Sequence, residues 1–299
     1  MSPHPFLPAL LATLPLVGLT PPAATGAAQP AAERHHATPR LITERDALVP
    51  GQKNWLGVEF RIDPGWHLYW DGLNDTGMPP KITPLNTPAG FSVGDVLWPA
   101  PTRHAAPGEI LDHVYKGSVL LMFPVSVPPS ASPGDKVTLA FGLEWLECAG
   151  VCLFAEGNVS INLPVANDAK PSRDAPLFER TRAALPGPIP NDGTISAELS
   201  GDRLTLSAKD AIAVAFFPLA DCSPPVDLWN AGETKGPRLV LTLKPKPGNP
   251  PRAHGVLRAE GPSGKVTHTL IDLLAKGNPS KTRTEPSPDG KSESPTGTK

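Results

Sequence analysis

The proline content of this sequence is the feature that most constrains its fold. Proline (40 residues) and glycine (27) together make up about 22% of the 299 residues, against about 12% in an average protein. Proline cannot donate to a sheet ladder, so it is confined to strand edges, strand starts and turns. We therefore expect short strands joined by many turns. Hydrophobic residues make up 39% of the chain, which is enough to bury a core.

The two ends of the chain differ from the rest. An apolar stretch at 6–19, followed by small residues up to Ala28, predicts a signal peptide over 1–28. No later stretch is apolar and long enough to cross a membrane, so we expect an exported, periplasmic protein that is soluble after cleavage. Residues 29–40 are expected to form a mobile leader and 276–299 a disordered tail.

The net charge of -2 gives no basic footprint for nucleic acid. No cofactor site or metal site is predicted either. His104 and His113 could bind a metal in principle, but scattered histidines without ligand spacing usually belong to the surface.

Runs of β-branched and aromatic residues between turn clusters predict two blocks of strands. In the first block, 41–166, Val58, Phe60 and Ile62 fall on one face of a strand, and the polar residues between them fall on the other. Such a face packs against a second sheet, which indicates a sandwich. The strands predicted in this block are 55–62, 66–70, 91–98, 118–127, 136–145 and 158–165.

A smaller second β domain is predicted over 191–275. Two of its runs flank Ser200-Gly201-Asp202, a good hairpin signal. Between the blocks, 167–190 is predicted to be a linker with a short helix, which Asp174 could cap. The strands predicted in this block are 195–199, 203–207, 213–219, 239–243, 255–259 and 266–273.

Cys148 and Cys152 are the chemically most informative residues. Four residues of extended strand span about 13 Å, whereas a disulfide needs Cα atoms within about 7 Å. If the two cysteines bond, the chain must fold back, and Ala149-Gly150 permits this. Closing so short a loop stabilises a protein by roughly 2 kcal/mol, against roughly 4.5 for a loop of about 75 residues. The spacing suits either thiol–disulfide exchange or a small structural disulfide. Cys222 is left over, either buried and inert or bonded to another protein, and the first is favoured.

Several motifs resemble one known family. They are Gly65-Trp-His-Leu-Tyr-Trp70, Asp75-Thr-Gly-Met-Pro79, Val96-Leu-Trp-Pro-Ala-Pro101, Tyr115-Lys-Gly-Ser-Val-Leu-Leu121 and Trp145-Leu-x-Cys148-x-x-x-Cys152. In this order they resemble the N-terminal periplasmic domain of the thiol:disulfide interchange protein DsbD, particularly its copper-tolerance-associated relatives, over about residues 40–166.

The resemblance implies an immunoglobulin-like sandwich in which Cys148 and Cys152 are the catalytic redox pair. It also implies that the segment His104 to Tyr115 forms a cap loop over the pair and that Tyr69 lies near the sulfurs. With the second block, the predicted fold is all-β: two immunoglobulin-like sandwich domains joined by a short helical linker. The family's membrane module does not follow in this sequence, so a stand-alone protein is expected.

Two functions are compatible with these observations. In the first, the protein relays reducing equivalents through Cys148/Cys152 to or from exported thioredoxin-like proteins, supplied by a separate membrane electron donor. As an enzyme it would then be a protein-disulfide oxidoreductase. In the second, it is a non-enzymatic periplasmic binding or adaptor module with a structural disulfide. The accessibility and reduction potential of the pair distinguish the two.

Overall fold

The computed structural model describes residues 35–275, and strands dominate this part of the chain, which confirms the all-β class. The strands before the first helix form three antiparallel sheets, in the orders β1-β2-β8-β5, β10-β9-β4 and β3-β7-β6. These strands are β1 (Ala37–Thr43), β2 (Lys53–Ile62), β3 (Leu68–Tyr69), β4 (Lys81–Asn86), β5 (Ser92–Val93), β6 (Thr102–Ala106), β7 (Ile110–Tyr115), β8 (Ser118–Ser126), β9 (Lys136–Cys148) and β10 (Cys152–Pro164).

Strand β2 shows how the sequence forms the first core. Val58, Phe60 and Ile62 are buried together, as their alternation predicts. The other face of β2 is also covered at Glu59, because Arg40 on β1 donates hydrogen bonds of 2.7 and 3.0 Å to its carboxylate. The acidic side chain can therefore be buried without leaving its charge unpaired.

Aromatic rings hold the two larger sheets of this block together. Phe60 packs edge-on against Trp145 with ring centroids 5.5 Å apart, and Phe123 lies 4.9 Å from Phe141. Trp70 belongs to the same buried cluster. Each such ring buries a large apolar area, so these side chains account for much of the stability of the first core.

Two predicted strands are much shorter in the structure. The run 66–70 reduces to β3 and the run 91–98 to β5, because the neighbouring pairing consists of isolated bridges rather than ladders. One of these bridges joins His67 to Cys148, and another joins Leu97 to Met122. Alternation of residue types does not distinguish a single bridge from a continuous ladder.

The predicted leader also needs correction. Residues 37–40 are not a mobile leader, because they pair with β2 as the first half of β1. The rest of that leader up to 34, the predicted signal peptide and the predicted tail 276–299 lie outside the described residues. Within 35–275, no helix has both the length and the apolar character needed to cross a membrane.

Helix α1 (Ala175–Ala184) lies in the segment for which a short helix is predicted. Phe178 is fully buried against Leu120 and Met122 of β8. Asp174 stands at the N-cap, but its side chain makes no capping hydrogen bond. Its carboxylate instead accepts hydrogen bonds from Arg40 at 2.9 and 3.2 Å, so it ties the helix start to β1.

The strands after α1 form two further antiparallel sheets, β11-β12-β15 and β14-β13-β16-β17. The predicted hairpin is present: Ser200 pairs with Arg203, and Gly201 has a φ of 58° in the turn between them. The elements are β11 (Ile195–Ser200), β12 (Arg203–Ala208), β13 (Ala213–Pro218), α2 (Leu228–Ala231), β14 (Glu233–Lys235), β15 (Arg238–Thr242), β16 (Arg252–Glu260) and β17 (Val266–Leu274).

Strand β13 connects the two cores. Val214 and Phe216 belong to the core of the second block, whereas Ala215 and Phe217 belong to the core of the first. Successive side chains of a strand point to opposite faces of its sheet, so one sheet serves both cores. The ring of Phe217 lies 6.4 Å from that of Trp70, and the two blocks are therefore packed together.

Candidate functional site

Strands β9 and β10 form a long hairpin whose tip carries the cysteine pair. Cys148 and Cys152 face each other in the register, separated by the loop Ala149-Gly150-Val151. Gly150 has a φ of 78°, a conformation that costs glycine little. Since a Cβ at this position meets nothing within 4 Å, the backbone conformation alone favours glycine here.

The two cysteines form a disulfide with Cα atoms 4.2 Å apart. On its far side, Cys148 exchanges both backbone hydrogen bonds with His67, at 3.0 and 3.1 Å. The N–H and C=O of Cys148 therefore point away from Cys152. The two cysteines are thus a non-hydrogen-bonded pair, in which opposite Cα atoms come closest. The chain folds back between them, as the disulfide requires.

The two sulfur-bearing residues differ in access. Cys148 is only 2% exposed, whereas Cys152 is exposed to solvent. The residues around Cys152 are apolar and exposed as well: Val151 at 62%, Phe154 at 55% and Leu153 at 41%. A protein that approaches this hairpin tip can reach Cys152 but not Cys148.

Tyr69 on β3 lies against the disulfide. Its hydroxyl is 3.2 Å from the Sγ of Cys148 and 3.5 Å from the Sγ of Cys152, so the position implied by the resemblance agrees with the structure. The ring is also buried. Burial raises the pKa of Tyr69, and the phenol therefore remains a hydrogen-bond donor at neutral pH.

Thr76 and Asp112 stand behind Tyr69 in a short chain of hydrogen bonds. The carboxylate of Asp112 accepts from the backbone N–H of Thr76 at 2.9 Å and from its hydroxyl at 2.6 Å. The Thr76 hydroxyl proton is used there, so its 3.1 Å contact with the Tyr69 hydroxyl requires the tyrosine proton. Tyr69 thus has one proton and three possible acceptors, Thr76 and the sulfurs of Cys148 and Cys152, of which the sulfur of Cys148 is the nearer.

The position of Gly77 explains why the Asp75-Thr-Gly-Met-Pro79 motif contains glycine. Its φ is 66°, and a Cβ there would lie 2.1 Å from the ring of Tyr69. Both the backbone conformation and the close approach to Tyr69 require glycine. This residue lets the Thr76 segment lie directly against the tyrosine.

The segment from His104 to Tyr115, expected as a cap loop, forms most of the β6–β7 hairpin. Val114 packs in one buried cluster with Tyr69 and Cys148, and Asp112 comes from the same strand. The hairpin therefore supports the tyrosine and its hydrogen-bond chain. Sequence reasoning missed Thr76 and Asp112 as site residues, because only the pairing of distant segments brings them together.

His67 is buried beside the site, and its Nε2 has no hydrogen-bond partner. Burial, reinforced by nearby His104 and Lys116, lowers its pKa to about 4. The ring is therefore neutral at physiological pH. Among residues 35–275 no group of three or more His, Cys, Asp or Glu side chains is arranged to hold a metal ion.

Glu147 precedes the first cysteine but serves the opposite face of β9. Its buried carboxylate accepts hydrogen bonds from the backbone N–H groups of His36 and Ala37, at 2.9 and 2.8 Å, and from the indole of Trp145 at 3.1 Å. It anchors the start of β1 to the cysteine hairpin. The spacing of two from Trp145 is the sequence signal that places Glu147 on the inner face.

Cys222 lies in the second block, and it is the free cysteine of the described part of the chain. It is 4% exposed, and burial raises the pKa of its thiol to about 11. Its Sγ donates weak hydrogen bonds to the carbonyls of Ser223 and Arg252, at 3.4 and 3.5 Å. This environment matches the buried, inert alternative of the sequence analysis.

The fold and the site define a class of domain, an all-β scaffold that presents a short-loop disulfide at a hairpin tip. Residues 38–164 match the family described as thiol:disulfide interchange protein DsbD, N-terminal. The resemblance carried by the sequence motifs is thereby confirmed. No curated protein matches the sequence.

Among solved structures, the N-terminal periplasmic domain of ScsB from Proteus mirabilis is similar in fold. It aligns with a TM-score of 0.52 and 18% identity, covering 82% of this chain and 95% of that one. A protein of unknown function from Porphyromonas gingivalis W83 has a TM-score of 0.25 and 11% identity, covering 80% of this chain and 100% of its own. The E. coli chaperone DraB has a TM-score of 0.24 and 9% identity, covering 79% and 99%.

Proposed function

We propose that this protein is an exported thiol–disulfide exchange protein in which Cys148 and Cys152 are the catalytic pair. The observation that carries the proposal is the asymmetry of the disulfide. One sulfur belongs to an exposed residue at a hairpin tip, and the other is buried within hydrogen-bond distance of the Tyr69 hydroxyl. The match of residues 38–164 to the thiol:disulfide interchange family supports the same chemistry.

The exchange follows from this asymmetry. A partner thiolate attacks the Sγ of Cys152, the S–S bond breaks, and its electron pair leaves on Cys148 as a thiolate. A second partner thiolate then attacks the partner's own sulfur in the mixed disulfide and releases Cys152. The partner dithiol has lost two electrons and become a disulfide, and the cysteine pair has gained them. The reverse sequence delivers the electrons.

Tyr69 assists the first step by stabilising the leaving group. A thiolate is a stronger hydrogen-bond acceptor than a disulfide sulfur, so the tyrosine proton turns from Thr76 to Cys148 as the bond breaks. Stabilising the thiolate lowers the pKa of the leaving thiol, and thiols of lower pKa leave faster.

The partners proposed here are exported thioredoxin-like proteins, together with a separate membrane electron donor that reduces the pair. The exposed apolar residues around Cys152 are suited to transient contact with such proteins. We further propose that the two β blocks are two immunoglobulin-like domains joined at α1. Each block has its own sheets and its own main cluster of buried residues.

A redox titration of the purified protein tests the proposal, with alkylation and mass shift reporting the thiols. We expect the pair to titrate as one two-electron couple above about -300 mV, where exchangeable disulfides lie. A matched Cys222→Ala variant should give the same curve. A reduction potential below about -300 mV would overturn the proposal. It would favour the alternative, an adaptor module with a structural disulfide.

A further inference from the structure

The second block contacts the β6–β7 hairpin through one arginine. Arg103 on β6 donates hydrogen bonds to the carbonyls of Leu228 and Trp229 in α2, at 3.2 and 2.9 Å. Its Nε also lies 3.5 Å from the carboxylate of Glu233, and the side chain is 16% exposed. A guanidinium can bond several acceptors in a fixed geometry, so Arg103 fixes the orientation of β6 relative to α2.

Gly232 leaves room for this contact. Its φ is -72°, a conformation open to any residue, so backbone conformation does not explain the glycine. A Cβ there would instead lie 2.8 Å from the Nη1 of Arg103 and 2.4 Å from the carbonyl oxygen of Leu228. A side chain at position 232 would therefore crowd both the carbonyl of Leu228 and the guanidinium that bonds it.

The hairpin held by Arg103 carries the groups behind Tyr69. Arg103 pairs with His113 in the β6–β7 register, and Asp112 directly precedes His113 on β7. The backbone N–H of His113 donates to the side chain of Asn74 at 2.7 Å, and Asp112 holds Thr76. The segment that presents Thr76 to Tyr69 is thus hydrogen-bonded to β7, the strand that pairs with the one carrying Arg103.

The same segment also contacts the second block directly. The backbone N–H of Leu73 donates to the carbonyl of Pro218 on β13 at 2.9 Å. The ring of Phe217 lies 5.3 Å from that of His113. The Thr76 segment is therefore supported by the second block from two sides, through β13 and, by way of Arg103, through α2.

We propose that Arg103 is a positioning residue through which the second block sets the reactivity of the Cys148–Cys152 pair. Arg103 touches neither sulfur. It holds the β6–β7 hairpin so that Asp112 and Thr76 keep the Tyr69 hydroxyl at hydrogen-bond distance from Cys148. This inference rests on the proposed exchange function and assigns the second block a role in it.

The test is a double-mutant cycle on the full chain with Arg103→Ala, Tyr69→Phe and the combined variant. The rate at which a small dithiol reduces the disulfide and the reduction potential of the pair are both measured. We expect Arg103→Ala to slow reduction by about 2-fold to 30-fold, the range for residues that act at a distance through coupled contacts. We expect no further slowing when Arg103→Ala is added to Tyr69→Phe, because both changes interrupt the same path.

Two further variants separate positioning from folding. Arg103→Lys keeps the positive charge but loses the planar guanidinium that bonds Leu228 and Trp229 in a fixed geometry, so it should slow reduction while retaining a cooperative unfolding transition. Arg203→Ala removes an exposed arginine from β12. The disulfide of this control variant should be reduced at the wild-type rate. If Arg103→Ala does not fold, the same cycle is run with Arg103→Lys.

The outcomes distinguish the two proposals. A wild-type pair that does not exchange would overturn the proposed function. A wild-type pair that exchanges, with Arg103 variants that match its rate and potential, would overturn only the inference. The inference would also be overturned if Arg103→Ala slowed reduction as much in the Tyr69→Phe background as in the wild type. Arg103 would then act by a route other than the tyrosine.

Discussion

The two regions that carry cysteine in this protein place the same side chain in opposite chemical environments. In the first block, Cys152 is exposed at a hairpin tip, and its partner Cys148 contacts a hydroxyl donor. In the second block, Cys222 is buried, and its Sγ donates weak hydrogen bonds to two backbone carbonyls. Carbonyl oxygens accept hydrogen bonds, so they favour the thiol over the thiolate.

This difference indicates what a reactive cysteine needs. Access lets a partner sulfur approach, and a donor stabilises the thiolate that forms when the disulfide breaks. The cysteine pair divides these requirements between its members, since Cys152 has the access and Cys148 lies nearer to the donor. Cys222 has neither. If this division is correct, removing the accessible sulfur should affect exchange most, removing the donor should affect it less, and replacing Cys222 should not affect it.

The largest effect is expected from removing the accessible sulfur. In Cys152→Ser, the remaining Cys148 is 2% exposed, so we expect no mixed disulfide with a thioredoxin-like partner and complete loss of exchange. In the matched variant Cys148→Ser, Cys152 remains exposed, and a mixed disulfide with a single-cysteine partner should accumulate, because neither protein then has a second thiol to resolve it. Non-reducing electrophoresis measures both variants after incubation with such a partner, whose one cysteine is first activated as a mixed disulfide with a small thiol. Equal trapping by the two variants would contradict the division of roles.

A smaller effect is expected from removing the donor. Tyr69→Phe keeps the ring but loses the hydroxyl 3.2 Å from the Sγ of Cys148. A hydrogen bond to a charged group contributes about 1.5–3 kcal/mol, so reduction by a small thiol should slow roughly tenfold to a hundredfold.

The chain offers a matched control for this substitution. Tyr115 is also buried, but its hydroxyl donates to the carbonyl of Pro99 at 2.6 Å rather than to sulfur. Tyr115→Phe should therefore lower the free energy of unfolding by about 1 kcal/mol and leave the rate of reduction unchanged. Equal slowing in both tyrosine variants would show that packing, and not the donor to Cys148, determines the rate.

Local patterns in the sequence predict the parts of the fold that depend on neighbouring residues. The strand containing Val58, Phe60 and Ile62, the Ser200-Gly201-Asp202 turn and the helix after Asp174 all follow from alternation, turn residues or helix-start signals. The cysteine pair is found in the same way, because its spacing forces the chain to fold back.

The remainder of the site depends on pairing between distant segments. Tyr69, Thr76 and Asp112 meet only because β3 pairs with β7 and the Thr76 segment runs back along β7. The motifs around Tyr69 and Thr76 are visible in the sequence, but nothing local marks Asp112 as their partner. Arg103 is missed for the same reason, since its acceptors lie more than a hundred residues away in α2.

Replacing Cys222 is expected to have no effect on exchange. Its buried position predicts a pH-dependent stability instead. Burial raises the pKa of this thiol from 9.0 to about 11, so folding favours the protonated form. The resulting stability is fully present below about pH 9 and is lost as the pH rises towards 11, by about 3 kcal/mol at most. The disulfide-bonded cysteines do not titrate and contribute nothing to this loss.

Denaturant unfolding of the wild-type protein and of Cys222→Ala at pH 8 and pH 11 measures the effect. The variant should be less stable at pH 8, because the substitution leaves a small cavity. It should nevertheless lose less stability than the wild type between the two pH values, because the buried thiol no longer has to ionise. Lysine and tyrosine titrations are common to both proteins and cancel in the difference. Equal losses would mean that Cys222 ionises as readily in the folded chain as in the unfolded one, and the contrast between the two cysteine regions would then rest on access alone.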